Sequence, residues 1–364
     1  MTTIQDIDTP ALLIDLDILE RNLTRMADLV RGTGIQLRPH VKTHKSPLVA
    51  KRQIELGACG VCCAKVGEAE VMVEGGVTDV LITTEVAAPE KIRRLVAMAA
   101  RATVAVVADN PENIRQLSQA AAAANVTLHV LVEVNVGQNR CGVEPGPAAA
   151  DLADEIAHVP GLHFRGLQGY HGALQQVIDL DQRSADIRKA LDLLRQTADL
   201  VRRRGHNPQV LTGGGTGSSA TDVALHGLTE LQPGSYVFMD CTYRRIHWDG
   251  AGAPAPFESA LSVLTSIVSC ATRERIVVDA GWKSLSSDSG TPVVKGIDGA
   301  AFTFAGDEHG KIALPDGVNL RAGDKLEIVP SHCDTTVNLY DRYCCLRGGK
   351  VEAVWPVAAR GRTQ

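Results

Sequence analysis

Residues 103–134 read TVAVVADNPENIRQLSQAAAAANVTLHVLVEV. Two short apolar runs rich in β-branched residues, 103–108 and 127–134, flank a stretch, 111–124, with apolar residues at helical spacing. Strand, helix and strand in that order make one βα unit of a parallel sheet. Outward from it the same rhythm continues from about residue 35 to 240. Further candidate strands are 35–41, 58–64, 79–84, 163–168, 209–212 and 229–232, with helical stretches at 65–75, 88–100, 147–158 and 181–204. Eight evenly alternating units predict a closed (β/α)₈ barrel in preference to an open doubly wound sheet.

Ahead of the barrel, Leu19, Leu23, Met26 and Val30 form a helical stripe behind Asp15-Leu16-Asp17, which supplies N-cap residues. After about residue 250 the rhythm changes to short strand-like runs separated by Gly-rich turns. The expected organisation is an α/β barrel over 1–249 and an all-β domain over 250–364, with the first residues pairing into the β-domain.

The composition narrows the partners. The 364 residues are 45% hydrophobic and carry a net charge of -5, with both signs spread along the chain. That lacks the basic footprint of a nucleic-acid binder. No apolar run reaches membrane-spanning length and residues 1–8 hold no apolar leader, so a cytoplasmic protein with small-molecule ligands is expected. The nine cysteines are odd in number and include the adjacent pairs Cys62-Cys63 and Cys344-Cys345, which read as reduced thiols. Cys59-x-x-Cys62 lies in an apolar run with no second pair at zinc-ribbon spacing, so it reads as small buried hydrophobes.

Barrels place their chemistry at the C-terminal ends of the strands, and four clusters stand there or beside it. The first is Arg38-Pro39-His40-Val41-Lys42-Thr43-His44-Lys45. A lysine among histidine and arginine suits an amine of lowered pKa able to condense with a carbonyl, though a plain surface lysine is the commoner case. The second is Thr212-Gly213-Gly214-Gly215-Thr216-Gly217-Ser218. Its exposed N–H groups could cradle a phosphate after the seventh strand, or it could be a flexible turn. The third joins Asn139-Arg140-Cys141-Gly142 to Gly169-Tyr170-His171-Gly172, where an arginine could hold a phenolate and a ring could pack on a planar cofactor. The fourth is Pro330-Ser331-His332-Cys333-Asp334. In an extended segment His332 and Asp334 share a face and Cys333 points away, a donor pair for a divalent ion. A buried, hydrogen-bonded histidine is the competing reading of that segment.

Together these stretches resemble the fold-type III pyridoxal 5′-phosphate (PLP) enzymes, and within them the D-threonine aldolase and D-serine dehydratase group, related to the barrel of alanine racemase. The likeness runs from Asp8-Thr9-Pro10-Ala11-Leu12 through the first two clusters and Gln232-Pro233-Gly234-Ser235-Tyr236 to His332-Cys333-Asp334. The resemblance implies that Lys42 carries the cofactor as a Schiff base while Lys45 is structural. It implies further that Arg140 lies near the phenolic oxygen, that Tyr170 and His171 pack beside the ring with His171 as a proton relay, and that Thr212, Gly214, Gly215, Thr216, Gly217, Gly234 and Ser235 hold the phosphate. Gln232 stands where alanine racemase has an arginine facing the pyridine nitrogen. A neutral amide donor there leaves the nitrogen largely unprotonated and the ring a modest electron sink.

By the same resemblance the dehydratases pair His with Cys and the aldolases pair His with Asp. Aspartate at 334 therefore implies a carbon–carbon lyase that cleaves D-threonine, D-allothreonine or 3-hydroxy-D-aspartate to glycine and an aldehyde, with Mn²⁺ or Mg²⁺ favoured over Zn²⁺. The rival is a carbon–oxygen lyase dehydrating D-serine or 3-hydroxy-D-aspartate. A non-catalytic PLP-binding protein of similar barrel normally lacks residues like 250–364. The resemblance also implies a homodimer with composite sites, Asp288 being the residue expected to reach across.

Overall fold

The computed structural model describes residues 3–249, 255–272 and 275–364. Strand β1 (Ala11–Asp15) runs into α1 (Leu16–Val30), which Asp15 starts by accepting the Ile18 N–H at 3.0 Å. The face bearing Leu19, Leu23 and Met26 is buried. Eight strands then pair in parallel: β2 (Gln36–Leu37), β3 (Val61–Cys63), β4 (Asp79–Ile82), β5 (Thr103–Ala108), β6 (Leu128–Glu133), β7 (Leu162–Gly169), β8 (Val210–Gly213) and β9 (Glu230–Leu231). Their order is β2-β9-β8-β7-β6-β5-β4-β3, and a parallel bridge from His40 to Cys62 joins its two ends into a barrel. β2 is shorter than the 35–41 run suggested because Pro39 offers no N–H to a ladder.

Helices α2 (Pro47–Glu55), α3 (Val66–Glu74), α4 (Pro89–Ala99), α5 (Pro111–Ala123), α6 (Pro147–His158), α7 (Leu180–Arg203) and α8 (Ser219–Leu225) fill the connections. In the unit first quoted, Asn110 caps α5 by accepting from Glu112 N–H at 2.8 Å, and Pro111 takes the first helical position. The pleat sorts β5: Ala105 and Val107 join Cys62, Leu81, Leu131 and Val210 in a small cluster enclosed by the strands, while Val104, Val106 and Ala108 pack with the helices.

Arg38, 1% exposed, sits just past β2 and donates to Glu230 Oε2 at 2.7 Å and Asp79 Oδ1 at 2.6 Å. Arg38→Met leaves the buried Glu230 carboxylate with only the Arg165 guanidinium, 3.8 Å away and not hydrogen-bonded to it, and we expect a loss of about 3–5 kcal/mol in chemical denaturation. A change below about 1 kcal/mol would show that the pair contributes little beyond a surface ion pair.

The second sheet holds β10 (Leu261–Thr272), β11 (Arg275–Val278), β12 (Val293–Val294), β13 (Ala301–Phe304), β14 (Gly310–Ala313), β15 (Lys325–Val329), β16 (Arg342–Arg347) and β17 (Lys350–Pro356). β1 lies inside this sheet, antiparallel to β10 and parallel to β16. The boundary expected at 249/250 adjoins residues 250–254, which lie outside the described residues. Between β15 and β16, helix α9 (Cys333–Val337) is a single short turn region. The chain end returns to the barrel, where Ala359 N–H donates to Lys45 O at 2.9 Å and Gly67 N–H to Gln364 O at 2.9 Å. No helix among the described residues is long and apolar enough to cross a membrane.

Candidate active site

One cavity opens at the C-terminal ends of the barrel strands, and Lys42, His40, Thr83, Arg140, Tyr170 and Tyr243 are among the residues that line it. Lys42 follows β2 with its side chain 43% exposed, and its Nζ lies 3.2 Å from Asp334 Oδ2. That carboxylate is the main reason the Lys42 pKa is raised, which corrects the expectation of an amine of lowered pKa in this chain by itself. His40 beside it is buried, and burial holds its pKa well below the ordinary value, so the imidazole is neutral; its Nε2 lies 3.1 Å from Thr83 Oγ1, which itself donates to Cys63 O and so accepts from the ring. Lys45 is committed elsewhere, paired with Glu68 at 2.5 Å. The Arg140 guanidinium stands 5.5 Å over the Tyr170 ring.

Gly215, Thr216, Gln232, Gly234 and Ser235 also line it. The glycine loop leaves β8 tightly packed: Gly214 has φ +68°, and a side chain there would meet the Asp222 carboxylate. At Gly217 a Cβ would run into the carbonyl oxygen of Gln175. Ser218 ties the loop down, donating to Asp222 Oδ2 at 2.6 Å and accepting from Gln175 Nε2 at 2.8 Å, while Gln175 Oε1 accepts Ser218 N–H at 3.2 Å. Among the described residues no group accepts the N–H of Thr216 or Gly217. Two free amides in a rigid glycine turn suit a phosphate. Thr212 lies beneath with its hydroxyl accepting from Gln232 Nε2 at 2.8 Å.

His171 does not line this cavity. It is 2% exposed, with Nδ1 3.3 Å from Gln175 Nε2 and Nε2 3.3 Å from Asp222 Oδ1. Burial lowers its pKa but the Asp222 carboxylate outweighs that, and the net shift is upward. His171 thus packs beside Gln175 and Asp222, with Nδ1 near the Gln175 amide and Nε2 without a hydrogen-bond partner although the Asp222 carboxylate is 3.3 Å away.

His332 and Asp334 reach the cavity edge from the second domain, though not as an extended segment. His332 precedes α9 and Asp334 lies in its first turn. The alternation argument therefore fails, yet Cys333 still points away: it is 0% exposed with Sγ 3.5 Å from Met239 O, and its N–H donates to Asp240 Oδ2 at 3.0 Å. Asp240, absent from the sequence reading, holds this turn, and burial pushes its carboxyl up to about 6. The pKa of Asp334 is lowered: burial raises it, but Lys42 and His332 overcome that. Its Oδ1 is buried without a hydrogen-bond partner. Asp288 meets His332 Nδ1 of its own chain at 2.7 Å and accepts from Thr335 Oγ1 at 2.9 Å, which sets it beside the donor pair of the same chain. A second group, Glu85, Asp109 and Cys141, brings ligand-type atoms within 4.8 Å of one another, with the Cys141 thiol pushed up to about 11 by burial and Glu85.

A barrel with an amine at its first strand end, a phosphate-shaped glycine turn after its seventh strand and a second, all-β domain at its mouth defines the class. The chain belongs to the alanine racemase N-terminal domain family, whose model matches residues 14–242, and a putative serine dehydratase domain follows over residues 260–346. It is 44% identical to a 3-hydroxy-D-aspartate aldolase of Paracoccus denitrificans over 98% of this chain and 93% of that one. It is 41% identical to a D-threonine aldolase of Arthrobacter sp over 98% and 93% of the two chains. The crystal structure of a D-threonine aldolase from Filomicrobium marinum superposes with a TM-score of 0.97 at 45% identity, covering 100% of this chain and 98% of that one.

The family implies PLP, and the residues fit it. The cavity offers a primary amine on Lys42, free loop amides for a phosphate, and the Arg140–Tyr170 pair for a phenolic edge. A divalent ion also fits, since His332 Nε2 and the unpartnered, buried Asp334 Oδ1 are nitrogen and hard oxygen donors. Gly217→Ala pushes against backbone, at an overpacking cost of about 1–3 kcal/mol. We expect PLP affinity in equilibrium dialysis to weaken by at least about 10-fold, which is about 1.4 kcal/mol. Unchanged affinity would remove the loop from the phosphate site.

Proposed function

We propose that this chain is a PLP- and divalent-metal-dependent aldolase that cleaves a 3-hydroxy-D-amino acid, D-threonine, D-allothreonine or 3-hydroxy-D-aspartate, into glycine and an aldehyde. The observation that carries this reading is the placement of Asp334 3.2 Å from Lys42 Nζ, with Cys333 turned away. It sets a hard donor, not a thiolate, beside the amine that would anchor the cofactor.

PLP, when bound, supplies a carbonyl carbon for a primary amine and an electron sink for the pair left on Cα. His332 and Asp334 would hold a divalent ion, which acidifies a hydroxyl brought to it. Lys42 anchors the cofactor and, when released, returns a proton to Cα from Nζ. Neutral His40 and Thr83 form the wall beside it, a surface that can accept or pass a proton without adding charge. Asp288 holds His332 through Nδ1 and leaves Nε2 as the nitrogen that would bind an ion, a support of the kind that usually raises metal affinity 10- to 100-fold.

We also read the chain as a cytoplasmic homodimer. The nine free cysteines suit a reducing compartment. Trp282, 49% exposed and stacked on Phe304 at 5.7 Å, gives the β-domain an apolar surface for a second copy. A monomer of full activity in light scattering would end that part of the reading.

Product analysis with PLP- and Mn²⁺-loaded protein and a panel of D-3-hydroxy amino acids tests the reaction. Glycine and an aldehyde in equal amounts are expected. A 2-oxo acid with ammonia would replace the aldolase by a dehydratase, a reading favoured by the domain match over residues 260–346.

A further inference from the structure

Four buried side chains run in a hydrogen-bonded line under the cavity. Glu133 ends β6, Gln168 lies in β7, Thr212 in β8, and Gln232 follows β9; their exposures are 5%, 1%, 0% and 5%. Gln168 Nε2 donates to Glu133 Oε2 at 2.6 Å and to the Thr83 carbonyl oxygen at 3.5 Å. Gln232 Nε2 donates to Gln168 Oε1 at 2.9 Å and to Thr212 Oγ1 at 2.8 Å.

The direction of each bond follows from chemistry. The Thr83 peptide carbonyl only accepts, and Glu133 offers an accepting oxygen in either protonation state, so the amide nitrogen of Gln168 faces them. Turning that amide over would set its oxygen against the Thr83 carbonyl oxygen. Its Oε1 therefore points to Gln232, which has to answer with nitrogen. Thr212 takes the second proton of that nitrogen. The group left over on Gln232 is Oε1, which has no partner among the described residues, on a residue that lines the cavity.

We propose that Glu133, acting through Gln168, turns Gln232 so that its amide oxygen, an acceptor, faces the ring nitrogen of the cofactor and keeps a proton on it. The proposal rests on the PLP reading above, with the ring nitrogen against Gln232. Gln232 touches the cofactor; Gln168 and Glu133 are positioning residues. An acceptor opposite a pyridine nitrogen stabilises the N–H form. The ring is then a stronger electron sink than the amide donor expected from the sequence would make it. The charged and titratable groups around Glu133 do not undo the arrangement. Burial and Glu85 push its carboxyl up to about 8, with a smaller push from Asp109, while the Gln168 bond and Arg140 oppose them. Protonated or not, Glu133 keeps an accepting oxygen, and the Thr83 carbonyl accepts at any pH.

The test is the nitrogen-15 resonance of ring-labelled PLP bound to the full-length protein, read with its absorption spectrum. Wild type is expected at the pyridinium position. Gln232→Glu should leave the resonance there, because a carboxylate keeps an acceptor in the same place. Gln232→Met should move it to the unprotonated position, and Glu133→Met should move it part of the way. A wild-type resonance at the unprotonated position that Gln232→Glu shifts to the pyridinium position would overturn the proposal, since that is the behaviour of an amide donor. The wild type and Gln232→Glu decide the matter even if Glu133→Met does not fold. Cofactor that binds and gives the unprotonated signal defeats this inference alone, whereas failure to take up any labelled PLP defeats the cofactor reading with it.

Discussion

Lys42→Ala is expected to abolish the bound-cofactor absorbance and to lower turnover by about 10⁴-fold, the upper range for a positioned proton-transfer group, since the covalent anchor goes as well. The fold should survive. The Lys42 side chain is 43% exposed, and its one ion pair, with Asp334, is not part of the core. Borohydride reduction of the wild-type holoenzyme followed by peptide mapping should place the label on Lys42. Lys45 is the alternative three residues on, but its Nζ is 2.5 Å from Glu68 and the residue is 7% exposed. A pyridoxyl group found on Lys45 would overturn the assignment, and with it the geometry that sets the substrate beside Asp334.

Much of this site could be read along the chain because its parts are local. The lysine cluster and the glycine loop each sit at the end of a strand whose apolar run is visible in sequence. The strands themselves emerge from periodicity, and β5 and α5 fall where the quoted unit put them. What escaped the reading depends on distant partners. The first residues are expected to pair into the β-domain and β1 does so, but its particular partners, Leu264 for Ala11 and Tyr343 for Leu12, are set by strands that no local pattern connects to it. Asp240 shapes the turn at Cys333 from 93 positions away. His171 looks catalytic beside Tyr170, but Gln175 and Asp222 draw it behind the loop. Gln168 and Thr83 could have been found, since both stand at or just past the ends of apolar runs where barrel chemistry gathers. Even Cys333 was placed correctly on a mistaken premise: a helix start, not a strand, turns it inward.

The metal pair gives the other large effect and separates the two candidate reactions. Chelation is expected to stop cleavage while leaving PLP in place, because the anchors proposed for the cofactor, Lys42, Arg140 and the glycine loop, are separate from His332 and Asp334. Mn²⁺ should restore activity. Asp334→Ala removes the unpartnered buried oxygen together with its carboxylate, so it should mimic chelation, with a loss well beyond the about 10- to 100-fold typical of groups that merely support a ligand. Asp288→Ala, which frees His332 Nδ1, should fall in that smaller range and be partly rescued by excess metal. Cys333→Ala acts on packing: its sulfur is fully buried against Met239 O, so the expected cost is about 1 kcal/mol of stability with activity near wild type. The pattern across the three variants, read by metal content and activity together, carries the decision. If Cys333→Ala loses the ion and Asp334→Ala retains it, the donor set is a thiolate one suited to Zn²⁺, and departure of the hydroxyl, not cleavage of Cα–Cβ, becomes the reaction this site performs.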